Sequence, residues 1–170
     1  MAPILCVVDA QKGFWQNVGK VRKELTQVLV RAVHTRQRVV VLELKREKFG
    51  PTHRSLMRIL GGLPSGRLCV KEKWLNDGSE QFLDALREMR WDLGEGVEIC
   101  GVNLCYCVKE TAISLAELTT VELLRHASAC WDHCDCNDDD GNILCRYICE
   151  GVAVNNNGTV QLPRHMSCAL

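Results

Sequence analysis

The sequence predicts an α/β domain, doubly wound, with a mainly parallel sheet and helices on both faces. Three observations predict it. Short β-branched runs alternate four times with stretches of helical periodicity, a fifth run follows, and polar residues stand where the runs end. The first run, PILCVVD at 3–9, is apolar throughout, as a strand buried on both faces must be. Apolar residues then recur at Val18, Val21, Leu25, Val28, Leu29, Ala32 and Val33, spacings of three and four that make one continuous helix face. RVVVLEL at 38–44 is the second strand and a weaker helical pattern follows at 55–60. RLCVKEKW at 67–74 is the third strand. NDGSEQF at 76–82 then reads as a turn, with Ser79 as N-cap of a helix running to Met89 and Glu80 in its first turn. GVEICGV at 96–102 is the fourth strand, residues 107–118 a helix and residues 120–124 the fifth strand.

Beyond Ala129 the pattern changes to CWDHCDCNDDDGN, an acidic, cysteine-rich loop, then a short helix near 143–149, a strand at 151–154 and a tail from Asn155. No repeat or low-complexity linker marks a second unit, so residues 1–170 read as one domain, and 46% hydrophobic residues suffice for its core. Twenty-one basic residues balance twenty-one acidic ones, which gives no field to attract nucleic acid or an anionic membrane. No apolar run reaches the roughly 18–20 residues of a membrane span, and Asp9 interrupts what would be a signal peptide, so a cytoplasmic location is expected. Domains of this size and architecture frequently self-associate, and a homo-oligomer is compatible with the sequence.

Eleven cysteines cannot all pair within one chain, and reduced thiols are the expectation; Cys6, Cys69 and Cys100 lie in strand-like runs and read as small buried apolar residues. Cys130, His133, Cys134, Cys136, Cys145 and Cys149 are soft ligands, but no paired C-x-x-C spacing organises them for zinc. Asp135 to Gly141 does not fit a calcium loop either, since its glycine comes one position late and no glutamate closes it.

Open parallel sheets bind ligands beyond the carboxyl ends of their strands. An acid, Asp9, an amine, Lys71 or Lys73, and a thiol, Cys107, converge on that edge. A helix N-terminus offers unpaired N–H groups and partial positive charge, which favour a thiolate at Cys107 and can hold an oxyanion. Asp9 is then a candidate general base and the lysine an electrostatic stabiliser.

Three separated segments carry a resemblance to a known family: VVDAQKGF at 7–14, with Asp-x-Gln-x-x-Phe; VKEKW, a strand ending in lysine; and CGVNLCYCVKETA at 100–112, with Gly, five residues, then Cys-Val-x-x-Thr-Ala. Over about residues 3–130 the chain resembles the isochorismatase-like cysteine hydrolases, which include nicotinamidases and related amidohydrolases. The resemblance implies a triad of Asp9, Lys73 and Cys107, attack of Cys107 on a carbonyl carbon, and a thioester that water hydrolyses. It also implies a cis peptide at Val102–Asn103 whose turn aims the amides of Asn103 and Cys107 at the oxyanion. Gln11, Phe14, Cys105 and Tyr106 would border the pocket of a small-molecule substrate. Nicotinamidases resemble one another in an Asp-x-His with a further His after strand two, which binds a metal. Here ELKREKFGPTHRSL holds only His53, so no metal and no cofactor are expected, and the substrate class is an amide-type or related bond rather than nicotinamide in particular. The rival expectation is a non-catalytic, thiol-rich protein of the same fold that uses the loop after Ala129 for metal or redox binding.

Overall fold

The computed structural model describes residues 2–130 and the backbone of 153–154 and 160–161. Five parallel strands, β1 (Ile4–Val8), β2 (Val39–Leu44), β3 (Leu68–Lys73), β4 (Val97–Val102) and β5 (Val121–Ala129), lie in the order β3-β2-β1-β4-β5. The chain moves outward from β1 to β3, then returns to lay β4 on the other side of β1. That reversal is a topological switch point between the carboxyl ends of β1 and β4, the place where open parallel sheets bind ligands. Every residue of β1, β2 and β4 is buried, which is why these runs are apolar without alternation except at Glu43 and Glu98, whose buried carboxylates are paired. β3, at the edge, alternates instead, with Cys69 and Lys73 buried and Val70 and Glu72 exposed.

Helices α2 (Arg22–His34) and α4 (Arg54–Leu60) pack on each other, and α5 (Ser79–Met89) packs on β2, β3 and α6 (Lys109–Ala116). The helix expected to run unbroken from Val18 is divided: α1 (Trp15–Lys20) ends at Val21, whose φ of −116° and ψ of 15° leave the helical region. A one-turn helix, α3 (Arg46–Phe49), was not anticipated, because it has no buried face to leave a periodic trace. β5 also runs five residues past its expected end at Leu124. The ladder with β4 is irregular between Ile99 and Gly101, and pairing resumes at Gly101–Ser128 and Val102–Ala129, so Arg125 and His126 interrupt the apolar pattern without ending the strand. Ala153–Val154 pairs antiparallel with Val160–Gln161. The short helix expected near 143–149 and the loop thiols and histidine from His133 to Cys149 lie outside the described residues. Among the described residues no helix is long and apolar enough to cross a membrane.

Candidate active site

β1 delivers Asp9 one residue past its last ladder position, in the left-handed region at φ 50°. Aspartate tolerates that conformation because its side chain is short and polar. The carboxylate is fully buried; Oδ1 accepts the Leu44 N–H at 3.0 Å and Oδ2 lies 3.0 Å from Lys73 Nζ. Among the described residues no donor is aligned on Oδ2, so its contact with Lys73 is charge attraction more than a directed hydrogen bond. Lys73, the last residue of β3 and equally buried, donates to the carbonyls of Leu75 at 3.1 Å and Asn76 at 3.0 Å. Lys71 points to the same face of β3 but reaches back to Glu88 on α5, which raises its pKa by hydrogen bonding, and it is not part of this cluster. The geometry therefore separates the two lysines that the sequence left open.

β4 leads to Cys107 through a cis peptide at Val102–Asn103. Gly101 makes the path feasible: at φ +126° it lies so close to β1 that a Cβ would stand 2.0 Å from the carbonyl oxygen of Val8. The chain then enters a π-helical turn, Leu104–Val108, with Asn103 as its N-cap, and continues without a break into α6. The helix thus starts earlier than expected, and Cys105 lies inside its first turn rather than ahead of it. The Asn103 side chain is fixed by Asn17 of α1, whose Nδ2 donates to its Oδ1 at 2.8 Å.

Cys107 is 1% exposed and its thiol donates to Asn76 Oδ1 at 3.6 Å. Burial, then the negative charge of Asp9, push its pKa up to about 12, against the opposing pull of Lys73. This direction is opposite to the thiolate expected from the helix end, because burial disfavours the anion. Burial likewise raises the carboxyl of Asp9, opposed by Lys73, the Cys107 thiol and the Leu44 N–H. The carboxylate makes ionisation of the thiol harder while the thiol, as a donor, favours the ionised carboxylate, so the resting arrangement is a carboxylate paired with an ammonium beside a neutral thiol. Cys100, buried in β4, is also raised to about 12, first by burial and then by Glu98.

A pH dependence of stability follows. Between their ordinary value of 9.0 and about 12, Cys100 and Cys107 keep their protons in the fold while the unfolded chain has lost them. The unfolded state then binds fewer protons, so stability falls as pH rises through this range, by about 1.4 kcal/mol per pH unit for each thiol at most. Denaturant unfolding at pH 8, 9.5 and 10.5 measures it. A flat profile would contradict the buried, protonated thiols.

The other pocket candidates separate. Gln11 is fully buried and spends its amide on backbone: Nε2 donates to the carbonyls of Leu44 at 3.1 Å and Gly50 at 2.5 Å, and Oε1 accepts the Leu44 N–H at 2.7 Å. It ties the end of β2 to the following loop and so steadies the amide that holds Asp9. Phe14 is buried and stacks on Phe49 with ring centroids 4.6 Å apart. Tyr106 is exposed at 41% on the outer side of the π-turn. Cys105 is buried and disulfide-bonded, which departs from the expectation of reduced thiols, whereas Cys6, Cys69, Cys100, Cys107 and Cys130 are free. A cavity of about 340 Å³ is lined by Lys12 to Asn17, and Asn17 also donates to Asn103 at the start of the π-turn.

Two residues were missed at the level of sequence. The turn at 76–82 reads there as structural, with a backbone that could border the pocket, and the Asn76 carbonyl does hold Lys73; its side chain, which faces Cys107, was not singled out. Thr111, in α6, accepts the Gly78 N–H at 2.9 Å and so fastens that turn over Lys73. At the end of β2, Glu43 accepts the Thr52 N–H at 2.6 Å and pairs with Arg46, while His53 stacks on Trp15. No group of three metal-ligating side chains occurs among the described residues.

No family model matches the sequence, and no curated protein matches it. Solved structures do. A nicotinamidase from Staphylococcus aureus superposes with a TM-score of 0.65 at 16% identity, over 84% of this chain and 89% of its own. An N-carbamoylsarcosine amidase from Thermoplasma acidophilum follows at 0.60 and 18%, over 79% and 88%. The MAR1 ribonuclease from Caenorhabditis elegans gives 0.65 at 20%, over 77% of this chain, which spans 66% of the ribonuclease. At such identities the likeness is one of fold. The chain has the isochorismatase-like α/β fold, with its five-stranded parallel sheet.

Proposed function

We propose that this chain is a cysteine hydrolase that cleaves an amide-type carbon–nitrogen bond in a small molecule, with Cys107 as nucleophile, Asp9 as general base and Lys73 as electrostatic stabiliser. The carrying observation is a fully buried Asp9–Lys73 pair placed against a thiol at the switch point. Two of the solved structures of this fold are named as amidases, which supports the bond type.

The chemistry starts from a thiol, not a stored thiolate. As Sγ bonds to the substrate carbonyl carbon, its proton passes to Asp9, whose raised pKa makes it a stronger base than an exposed carboxylate. The carbonyl π electrons move to oxygen, and the amides of Asn103 and Cys107 are the donors proposed to receive that oxyanion. Collapse breaks the C–N bond, and the leaving amine takes the proton from Asp9. Water, deprotonated by Asp9, then attacks the thioester, the acid departs, and the proton returns to sulfur. Lys73 stays charged throughout, so Asp9 is never an isolated anion in a dry site.

Cys107→Ser tests this. It removes the nucleophile with little change in volume, so hydrolysis of the best substrate in a panel of small primary amides and N-carbamoyl compounds should fall by at least about 10³-fold with the unfolding midpoint nearly unchanged. Trapped thioester on the native protein, seen as a mass increase on the peptide holding Cys107, should vanish in the variant. Retained turnover would remove the proposal.

A further inference from the structure

The geometry points to Asn76 as a positioning residue for the Cys107 thiol, holding the sulfur aimed and protonated until substrate arrives. The inference rests on the reading of Cys107 as nucleophile and adds a control on it. Asn76 Oδ1 is an acceptor for the thiol at 3.6 Å, and its Nδ2 donates to Glu110 Oε1 at 3.3 Å. The orientation of the amide follows from chemistry. A carboxylate only accepts, so the NH₂ must face Glu110 and the oxygen must face sulfur.

An oxygen acceptor serves a thiol and repels a thiolate. The Asn76–Glu110 pair therefore opposes ionisation of Cys107, in the same direction as burial and Asp9 and against Lys73. The main chain of Asn76 has a second task, since its carbonyl accepts from Lys73 Nζ. One residue thus contacts both the amine and the thiol. Asn76 is nevertheless exposed, outside the core, while Cys107 beneath it is not. Its side chain is the polar group that an incoming carbonyl displaces as Sγ turns toward carbon, and loss of the Oδ1 contact accompanies transfer of the proton to Asp9.

The test is the rate at which iodoacetamide labels Cys107, mapped by mass spectrometry in the intact folded chain from pH 7 to 10. Asn76→Ala removes an acceptor of the neutral thiol and should speed labelling about two- to tenfold. Asn76→Asp keeps the shape but sets a negative charge beside sulfur, and should slow it about tenfold or more. Glu110→Gln frees the amide to turn its NH₂ toward sulfur and should speed it. Asp9 and Lys73, the other charged groups facing Cys107, are the same in all four proteins. A purely structural role would move the Ala and Asp variants in one direction. Opposite shifts support the inference; equal shifts, or none, overturn it. The two readings can fail separately, because hydrolysis surviving Cys107→Ser would remove the proposed reaction, whereas unchanged labelling in Asn76→Asp would remove only the positioning role.

Discussion

Lys73→Met should destabilise the fold by about 3–5 kcal/mol at pH 7, a large share of the 5–15 kcal/mol available to an ordinary domain. Methionine fills most of the lysine's volume, so packing is nearly preserved. What is lost is the cation paired with a carboxylate that is fully buried and, among the described residues, has no donor aligned on Oδ2. The remaining Asp9 escapes by taking a proton, and its pKa, already raised by burial, rises further without Lys73. A raised folded-state carboxyl favours the fold at low pH and penalises it as pH climbs through that value. The deficit of Lys73→Met relative to the native protein should therefore shrink as pH falls from 7 toward 5. Asp9→Asn combined with Lys73→Met removes both charges, and asparagine accepts the left-handed φ, so the double variant should recover much of the loss. Guanidinium unfolding of the native, single and double variants completes the cycle. Single variants within about 1 kcal/mol of native would show that the pair is not desolvated as described.

Gly101→Ala is the second large effect, expected to cost about 3–5 kcal/mol or to prevent folding outright. The methyl would have to occupy space 2.0 Å from the Val8 carbonyl oxygen, and φ of +126° is one that alanine rarely adopts. Backbone, unlike the end of a flexible side chain, cannot step aside without parting β1 from β4. The natural comparison is Gly19→Ala in α1, where a Cβ meets nothing within 4 Å and stability should hold or rise slightly. Equal unfolding midpoints for the two variants would contradict the close approach of the central strands.

The sheet was legible because parallel strands buried on both faces must be apolar runs, and β1, β2 and β4 are written that way. Asp9 stood out as a polar residue closing such a run, and Lys73, with Lys71 as its alternative, as a lysine near the end of the edge strand β3. β5 was cut short in the reading because alternation cannot reveal that Arg125 and His126 leave the ladder and Ser128 rejoins it. The direction in which burial shifts Cys107 is not legible in the sequence. Helix position is visible in sequence, but burial and proximity to Asp9 depend on residues about a hundred positions away. The role of the Asn76 side chain was invisible for the same reason: a turn residue becomes a partner of sulfur only once the π-turn has brought Cys107 beneath it.

The strand order also governs when the site comes into being. β1, β2 and β3 are joined by short crossovers, and once they pair, Asp9 and Lys73 can meet. Cys107 cannot join them until Ile4 registers with Val97, a closure of over ninety residues that is the slowest kind of contact for a chain to find. Nascent or partly folded chains would therefore hold the charge pair without a reacting thiol. Appearance of protected Cys107 during refolding, followed by pulse alkylation, reports the docking of β4 against β1 and with it the moment at which the chain becomes chemically competent.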